Sequence, residues 1–171
     1  HVGHLQKGHG VSFGDMDNDG DQDIHIQMGG AFPGDAYQNS FFLNQGNSDN
    51  KWICIQLVGV NSNRSAIGTR IKMTITENGT TRCIYRDVNS GGSFGSSPLR
   101  REIGIGTSPK VDKLEIFWRG SSSPQTFLNV RPNQFIRITE GDSTIEELTI
   151  NKINWVLPET LCFPDGTLIY Q

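Results

Sequence analysis

Short segments in which apolar and polar residues alternate run through most of the chain. Ile24, Ile26 and Met28 alternate with His25 and Gln27, and this period of two predicts a β-strand. Comparable runs predict further strands at 11–13, 41–43, 51–59, 68–76, 80–88, 99–105, 111–118, 125–130 and 134–140. Glycine, asparagine and serine separate the runs, so the pattern predicts an all-β fold.

The runs between residues 51 and 140 predict one antiparallel β-sandwich-like domain. Two of them are joined by Asn78-Gly79, a pair that tolerates the positive φ angles of a tight hairpin turn. A polar linker at 44–50 separates this domain from an N-terminal unit. We therefore divide the chain into a unit at 1–50 that begins with an arm, the sandwich at 51–140 and a C-terminal extension at 141–171.

The C-terminal extension carries mixed signals. Ser143 and Glu146 have capping-box spacing, which favours one helical turn, whereas the β-rich composition of 149–157 favours a strand. The turn Pro164-Asp165-Gly166 lies between apolar residues and predicts a terminal β-hairpin. Such a hairpin is a candidate for pairing with the sheet edge of a neighbouring molecule.

Composition argues against two classes of partner, nucleic acids and the membrane interior. The chain has 171 residues, 20 of them glycine, and a net charge of −3 without a basic run, which argues against a nucleic-acid partner. No apolar run reaches the roughly 18 to 20 residues that a membrane-spanning helix needs. The cysteines, Cys54, Cys83 and Cys162, are odd in number, so at least one is unpaired or pairs between chains.

The strongest chemical signal is a loop with five aspartates in nine residues: Asp15, Asp17, Asp19, Asp21 and Asp23. Carboxylates this close repel one another unless a cation lies among them. Oxygen ligands at alternate positions, with Gly20 at the sixth position for the turn, are what Ca²⁺ prefers. The alternatives are a solvated acidic turn without a metal, and Mg²⁺, which suits a cage of many carboxylates poorly.

This loop differs from an EF-hand in two ways. The twelfth position, where an EF-hand has its bidentate glutamate, is Ile26. The flanking segments are predicted strands, not helices. We therefore expect a shorter loop that ends at Asp23, lies between two strands and binds Ca²⁺ as a structural staple.

Two parts of the chain resemble known families. The segment Gly10–Asp15, followed by the aspartate loop, resembles an FG-GAP/VCBS repeat, the calcium-binding blade of integrin-type β-propellers. Blocks further on resemble the ASPIC/UnbV domain, and they fall in that family's order at 51–53, 57–59, 62–70, 91–94, 103–106, 111–118, 129–130, 133–134 and Glu140. The order of the two parts resembles that of secreted, cartilage acidic protein-like chains. The departure is that one blade is recognisable here, whereas members of the family usually carry several.

The resemblance implies a sandwich preceded by a single propeller-blade-like calcium-binding unit in a secreted protein. We expect a non-catalytic extracellular module that adheres to a protein or a glycan. The sequons at Asn63 and Asn78 are candidate N-glycosylation sites. The alternative is a self-assembling subunit of an extracellular filament or surface layer, in which copies exchange strands.

An enzymatic function has little support in the sequence. Gly91–Gly95 matches the G-x-S-x-G nucleophile elbow by letter, but the segment that follows predicts a strand where the elbow requires a helix. All four histidines also precede Ser93, contrary to the order in that hydrolase class. We therefore expect no catalytic residues.

Overall fold

The computed structural model describes residues 8–30, 33–34, 37–44, 46, 49–92 and 95–154. This part of the chain is all-β, as predicted, and contains no helix. Its strands are β1 (Gly8–Gly14), β2 (Asp23–Met28), β3 (Ser40–Phe42), β4 (Lys51–Val58), β5 (Arg70–Glu77), β6 (Thr80–Asp87), β7 (Arg101–Gly106), β8 (Val111–Phe117), β9 (Gln125–Val130), β10 (Phe135–Thr139) and β11 (Glu146–Leu148). The residues that the structure describes include no helix with the length and apolar character that crossing a membrane demands.

The N-terminal unit is a three-stranded antiparallel sheet in the order β1-β2-β3. Val11 pairs with Ile26 and Gly14 with Asp23, so the aspartate loop is the connection between β1 and β2. The period of two in β2 buries Ile26 and Met28. The loop thus lies between two strands, as the sequence predicts.

Two four-stranded sheets form the sandwich, in the orders β11-β10-β4-β7 and β6-β5-β8-β9. The second sheet is antiparallel throughout, whereas the first is mixed because β10 runs parallel to β4, with Ile136 beside Ile55. Alternation indicates which face a residue occupies but carries no information on strand direction, so the sequence predicted an antiparallel sheet. Asn133 fixes the start of this pair, because its N–H donates to Trp52 O and its Oδ1 accepts from Trp52 N.

The core lies between these two sheets and is built from the buried alternate positions of the strands. Its largest fully buried side chains are Ile53, Ile55, Ile71, Met73, Ile75, Val88, Ile103, Ile105, Leu114, Ile116, Ile136 and Ile138. Burial of one such side chain is worth about 1.5 to 3 kcal/mol. The sandwich therefore has a continuous apolar core of its own.

The hairpin at Asn78-Gly79 forms as predicted. Asn78 has a φ of 49° and Gly79 a φ of 76°, and Glu77 pairs with Thr80 across the turn. The predicted helical turn near Ser143 is wrong. Ile145 packs against the core and Glu146 begins β11, so pairing with β10 prevails over the capping-box signal.

Other predictions for the chain ends are tested only in part. The N-terminal arm was predicted at 1–10, but β1 begins at Gly8, and 1–7 lie outside the described residues. The predicted strand at 149–157 is absent from 149–154, where the chain is irregular. The rest of that strand and the terminal hairpin lie outside the described residues.

Candidate metal-binding site

Three of the five loop carboxylates converge. Asp15, Asp17 and Asp19 each offer one oxygen, and these oxygens lie within 4.8 Å of one another. Asp15 and Asp17 are buried and Asp19 is half-buried. Three carboxylate oxygens at this spacing could hold a metal ion between them.

Backbone hydrogen bonds hold the loop in this shape. Both carboxylate oxygens of Asp15 accept a backbone N–H, from Asp19 at 2.9 Å and from Gly20 at 3.0 Å. Asp19 in turn accepts the N–H of Asp21 at 2.9 Å. The short side chain of aspartate favours such local bonds, so the alternate aspartates curl the loop around its own carboxylates.

Asp21 and Asp23 lie outside the group of three. Asp23 is fully buried, and its two oxygens accept the N–H groups of Met16 at 2.8 Å and Asn44 at 2.9 Å, which closes the loop. The carboxylate of Asp21 lies against Gly46, where a Cβ would come within 2.0 Å of its Oδ2. The prediction that Asp21 and Asp23 are ligands therefore stays a prediction.

Gly20 is required for two reasons. Its φ of 98° is a conformation that L side chains rarely adopt. In addition, a Cβ at this position would lie 1.9 Å from Cε2 of the Trp52 indole, which packs directly on the loop. The Trp52 ring also meets Phe135 edge-on, with centroids 4.9 Å apart, so the loop rests on aromatic side chains of the sandwich.

The sandwich also grips the loop through Arg100 and Glu102. The N–H of Asp15 donates to Glu102 Oε2 at 3.1 Å, and Arg100 Nη2 donates to the carbonyl oxygen of Asp15 at 2.7 Å. Arg100 also donates to Glu102 Oε1 at 3.0 Å and lies over the Phe135 ring, 5.4 Å from its centroid. The loop therefore packs on the outer face of the β11-β10-β4-β7 sheet.

A segment after β11 also bonds the aspartate loop. The N–H of Ile153 donates to the carbonyl oxygen of Asp17 at 2.6 Å, and Asn18 Nδ2 donates to the carbonyl oxygen of Asn151 at 3.3 Å. Between them, Lys152 Nζ donates to Asp19 Oδ2 at 3.0 Å. Residues 151–153, here called the C-terminal clamp, thus bond the loop at three consecutive positions.

The electrostatics of the loop favour a bound cation. Burial raises the pKa of Asp15 to about 6, although the N–H groups of Gly20 and Asp19 and the charge of Arg100 act in the opposite direction. Burial and the charge of Asp19 raise the pKa of Asp17, and the same two causes raise the pKa of Asp21. The ionised carboxylates are therefore destabilised in this fold, and a divalent cation would relieve that repulsion.

The N-terminal sheet also contacts the sandwich along β1. A Cβ on Gly95 would lie 2.4 Å from the carbonyl oxygen of Val11, so this loop passes directly against the β1 backbone. Gly14 lies close to Pro98 in the same way. The N-terminal unit is therefore packed on the sandwich at β1 as well as at the aspartate loop.

A groove of about 920 Å³ lies beside the site on the same sheet. Its wall includes Arg64, Arg100 and Arg137 and one acidic side chain, Glu146, with apolar residues from β4, β10 and β11 between them. Arg137 pairs with Glu146 at 3.1 Å. Two of its three arginines are thus paired with carboxylates, Arg100 with Glu102 and Arg137 with Glu146.

The two candidate glycosylation residues differ in their surroundings. Asn63 is exposed, but its amide donates to the carbonyl oxygen of Ile67 at 2.8 Å and its Oδ1 accepts the N–H of Ile67 at 2.9 Å. Asn78 lies at the exposed tip of the β5–β6 hairpin. The side chain of Asn63 therefore stabilises a turn, whereas that of Asn78 is presented at the surface.

The cysteines also differ. Cys54 is buried beside the site and Cys83 is exposed on β6, and both are free thiols. The two thiols therefore differ in their access to solvent. Cys162 and Ser93 lie outside the described residues, and 95–100, after the G-x-S-x-G match, contain no helix.

The sequence predicted the aspartates but missed the residues that surround them. Trp52, Arg100, Glu102 and Lys152 all contact the loop, and each lies in a run that was interpreted only as a strand or a tail. The one signal was the cluster of charges in 100–102 at the start of a strand that continues into the core. Nothing in the pattern ties that cluster to a loop some 80 residues earlier.

Part of the chain matches a known protein family. The family described as ASPIC and UnbV matches residues 59–145, which is about half of the chain. The match covers β5 to β10 and the Glu140 region, and the aspartate loop lies before it. No curated protein matches the chain.

Proposed function

Because the chain belongs to the ASPIC and UnbV family, we propose that it is a non-catalytic extracellular module in which Ca²⁺ staples the N-terminal unit to the sandwich. The observation that carries this proposal is the convergence of Asp15, Asp17 and Asp19. The module's role is adhesion to a protein or a glycan, and the ion gives the binding surface a fixed shape.

The donor set suits Ca²⁺ better than other cations. The three converging ligand atoms are carboxylate oxygens, whereas Zn²⁺ prefers nitrogen and sulfur ligands. Mg²⁺ keeps most of its waters and is poorly served by several carboxylates in one loop. Ca²⁺ would be held by Asp15, Asp17 and Asp19, with the Asp21 carbonyl oxygen and Asp23 as the further ligands that the sequence predicts.

The strand–loop–strand arrangement supports a relation to the FG-GAP/VCBS repeat. β1, the aspartate loop and β2 follow one another, and β3 completes one three-stranded unit. We propose that this unit is a single propeller-like blade. A lone sheet of three strands is marginal in water, and its contacts with Trp52, Arg100 and Gly95 supply the support that neighbouring blades give in a propeller.

Calorimetry and thermal unfolding test the calcium proposal. At a Ca²⁺ concentration about 100 times Kd, binding to the folded state alone stabilises it by about 2.7 kcal/mol, and a chelator removes that gain. The variant Asp17→Asn keeps the shape of the side chain but removes one ligand charge. We expect it to lose the calcium response.

A matched control for Asp17→Asn is Asp112→Asn. Asp112 is an aspartate on β8, in the β6-β5-β8-β9 sheet, and it pairs with Lys110 at 3.6 Å. Its substitution should leave the calcium response intact. A wild-type protein that melts at the same temperature with Ca²⁺ and with chelator would refute the proposal, and an unchanged response in Asp17→Asn would refute the assigned ligand.

The groove beside the site supports the adhesion part of the proposal. Its arginines suit a partner with carboxylate or sulfate groups, such as an acidic glycan or an acidic protein surface. A glycan array probed with the calcium-loaded protein tests this. If the wild type binds acidic glycans, we expect Arg64→Ala to bind them more weakly. Arg82→Ala, on the other sheet, is the control. Equal glycan binding by the wild type, Arg64→Ala and Arg82→Ala would exclude the groove as the binding surface.

One observation favours self-assembly as a second candidate function. Val11 and Phe13 are alternate residues of β1, so they share one face of the first sheet, and each is 45% exposed. An apolar face of this kind is a candidate contact with another copy of the chain. Light scattering with and without Ca²⁺ separates the two functions, because a strictly monomeric species at high concentration would exclude an assembling subunit.

A further inference from the structure

Lys152 places an ammonium group on a carboxylate of the aspartate cluster. Its Nζ lies 3.0 Å from Asp19 Oδ2, and the Asp19 side chain is only 12% exposed. Asp19 Oδ1 is already occupied by the N–H of Asp21. The ammonium group therefore occupies the oxygen of Asp19 that faces away from the loop backbone.

The clamp holds Lys152 in that position from both sides. Asn151 accepts a hydrogen bond from Asn18, and Ile153 donates one to Asp17, so the residues before and after Lys152 are both bonded to the loop. A group tethered in this way has a high effective concentration at its target. Lys152 is therefore held near Asp19 by its own backbone, unlike a lysine that reaches a carboxylate only by diffusion of its side chain.

From this geometry we infer that Lys152 is an internal competitor for the cation site. It neutralises Asp19 when the site lacks metal, and it is displaced when a divalent cation binds. The inference deepens the proposed function and rests on it. Lys152 would thus set the metal concentration at which the loop is stapled.

Charge decides which of the two cations prevails. The ammonium carries one charge and bonds one of the three converging carboxylates, whereas a divalent ion carries two charges and contacts all three. The metal therefore wins at a sufficient concentration. By linkage, the factor by which Lys152 weakens metal binding equals the factor by which the metal weakens the Lys152–Asp19 contact.

Calcium titration of Lys152→Met tests the inference. Methionine keeps an apolar side chain of similar length and removes the charge. Since an exposed ion pair is worth little in water, we expect Ca²⁺ to bind about two- to fivefold more tightly to this variant. The matched control is Lys113→Met, because Lys113 pairs with Glu115 at 2.7 Å on the other sheet and its loss changes the net charge equally.

The outcomes separate this inference from the proposed function. If the wild type binds Ca²⁺ and Lys152→Met binds it no more tightly than Lys113→Met does, the competition is refuted and the calcium module stands. If neither the wild type nor Lys152→Met binds Ca²⁺, both are refuted. Binding by Lys152→Met alone would support the competitor and place the wild-type affinity below the tested range.

A second measurement uses the wild-type protein alone. Acetylation by an amine-reactive reagent, read by peptide mass spectrometry, reports how freely Lys152 leaves Asp19. We expect Ca²⁺ to accelerate labelling of Lys152 by the same two- to fivefold factor and to leave Lys113 unchanged. Equal labelling of Lys152 with and without Ca²⁺ would refute displacement, whatever the affinity of the variant.

Discussion

The aspartate loop and the sandwich core are held together by opposite kinds of interaction. The core is apolar and fully buried, and it forms wherever two sheets with alternating sequences meet. The loop is charged, and its partners come from β4, from 100–102 and from the C-terminal clamp. We therefore expect the sandwich to fold without a metal and the loop region to depend on one.

This difference predicts two levels of stability in one chain. Regions with few buried apolar contacts and many charged hydrogen bonds open at a lower free energy than the core does. Calcium should change the opening of the loop strongly and the unfolding of the core weakly. Each prediction below compares the two regions, and they run from the largest expected effect to the smallest.

The largest effect is expected in the core. Ile116 is fully buried on β8 and pairs with Ile71, so Ile116→Ala removes apolar contacts and leaves a cavity. We expect the free energy of unfolding, measured in urea, to fall by about 2 to 5 kcal/mol, and by the same amount with Ca²⁺ and with chelator. Leu128→Ala, at a side chain that is 65% exposed, should change stability little. A loss at Ile116 that appears only with chelator would show that the core is not independent of the loop.

Substitution of Gly20 tests the loop in the same way. In Gly20→Ala the positive φ costs about 1 to 2 kcal/mol, and the displaced Trp52 indole raises the total to about 2 to 4 kcal/mol. Gly79→Ala is the matched control, because Gly79 also has a positive φ but a Cβ there would meet no atom within 4 Å. We expect only Gly20→Ala to weaken Ca²⁺ binding, measured by calorimetry. Equal losses of affinity in both variants would contradict the role of Trp52.

The sandwich was predictable because its signal is local. The alternation in 111–118 and 134–140 fixes which residues face the core, and the structure bears this out at Ile116 and Ile138. The sequence predicted antiparallel strands throughout, whereas β10 runs parallel to β4, and β11 was not predicted. β11 has three residues, two of them glutamates, so its pairing with β10 has no apolar signature.

The site was predictable only as far as it is local. Alternate aspartates and Gly20 lie within nine residues, so their spacing alone identified the loop. The N–H of Asp15 bonds Glu102, 87 residues away, and Lys152 bonds Asp19 across 133 residues. Such contacts depend on how the two units pack against each other. The spacing of apolar and polar residues along a single sequence carries no information on that packing.

Glu140 provides a charged contact that belongs to the sandwich and not to the loop. Its Oε2 accepts the N–H groups of Val60, Asn61 and Ser62 and the hydroxyl of Ser62, at 2.8 to 2.9 Å. Since these bonds go to one charged oxygen, we expect Glu140→Gln to cost about 1 to 2 kcal/mol. The control is Glu147→Gln, whose partner Arg131 is exposed, and which should have little effect.

The pH dependence of Glu140 has a defined sign. Burial raises its pKa, but the four hydrogen bonds outweigh this effect and hold the pKa below the ordinary value of 4.5. Its contribution is therefore complete above about pH 4.5 and is lost as the pH falls through the lower folded pKa. Urea unfolding from pH 6 to pH 3 should show a smaller acid-induced loss in Glu140→Gln than in the wild type, with or without Ca²⁺. Parallel pH profiles would contradict this role.

The smallest perturbation is chemical labelling of the thiols, which tests the boundary between the two regions. Cys54 is buried next to Arg100, and burial raises its pKa to about 12, whereas Cys83 is exposed on β6. In a Cys162→Ser background we expect Cys54 to react on the order of 100-fold more slowly than Cys83 with a maleimide at pH 7.

Calcium should slow the labelling of Cys54 further and leave Cys83 unchanged. The reason is that Cys54 lines the groove beside Arg100, which bonds the loop through Asp15, so we expect a reagent to reach the thiol more easily when Arg100 is released from the loop. Unfolding of the core would also expose Cys54, but it is too rare to account for labelling under native conditions. If Ca²⁺ protects Cys54 and Ile116→Ala does not alter that protection, the loop opens as a separate unit. If Cys54 and Cys83 respond to Ca²⁺ alike, the chain opens as one cooperative body and the contrast between the two regions fails.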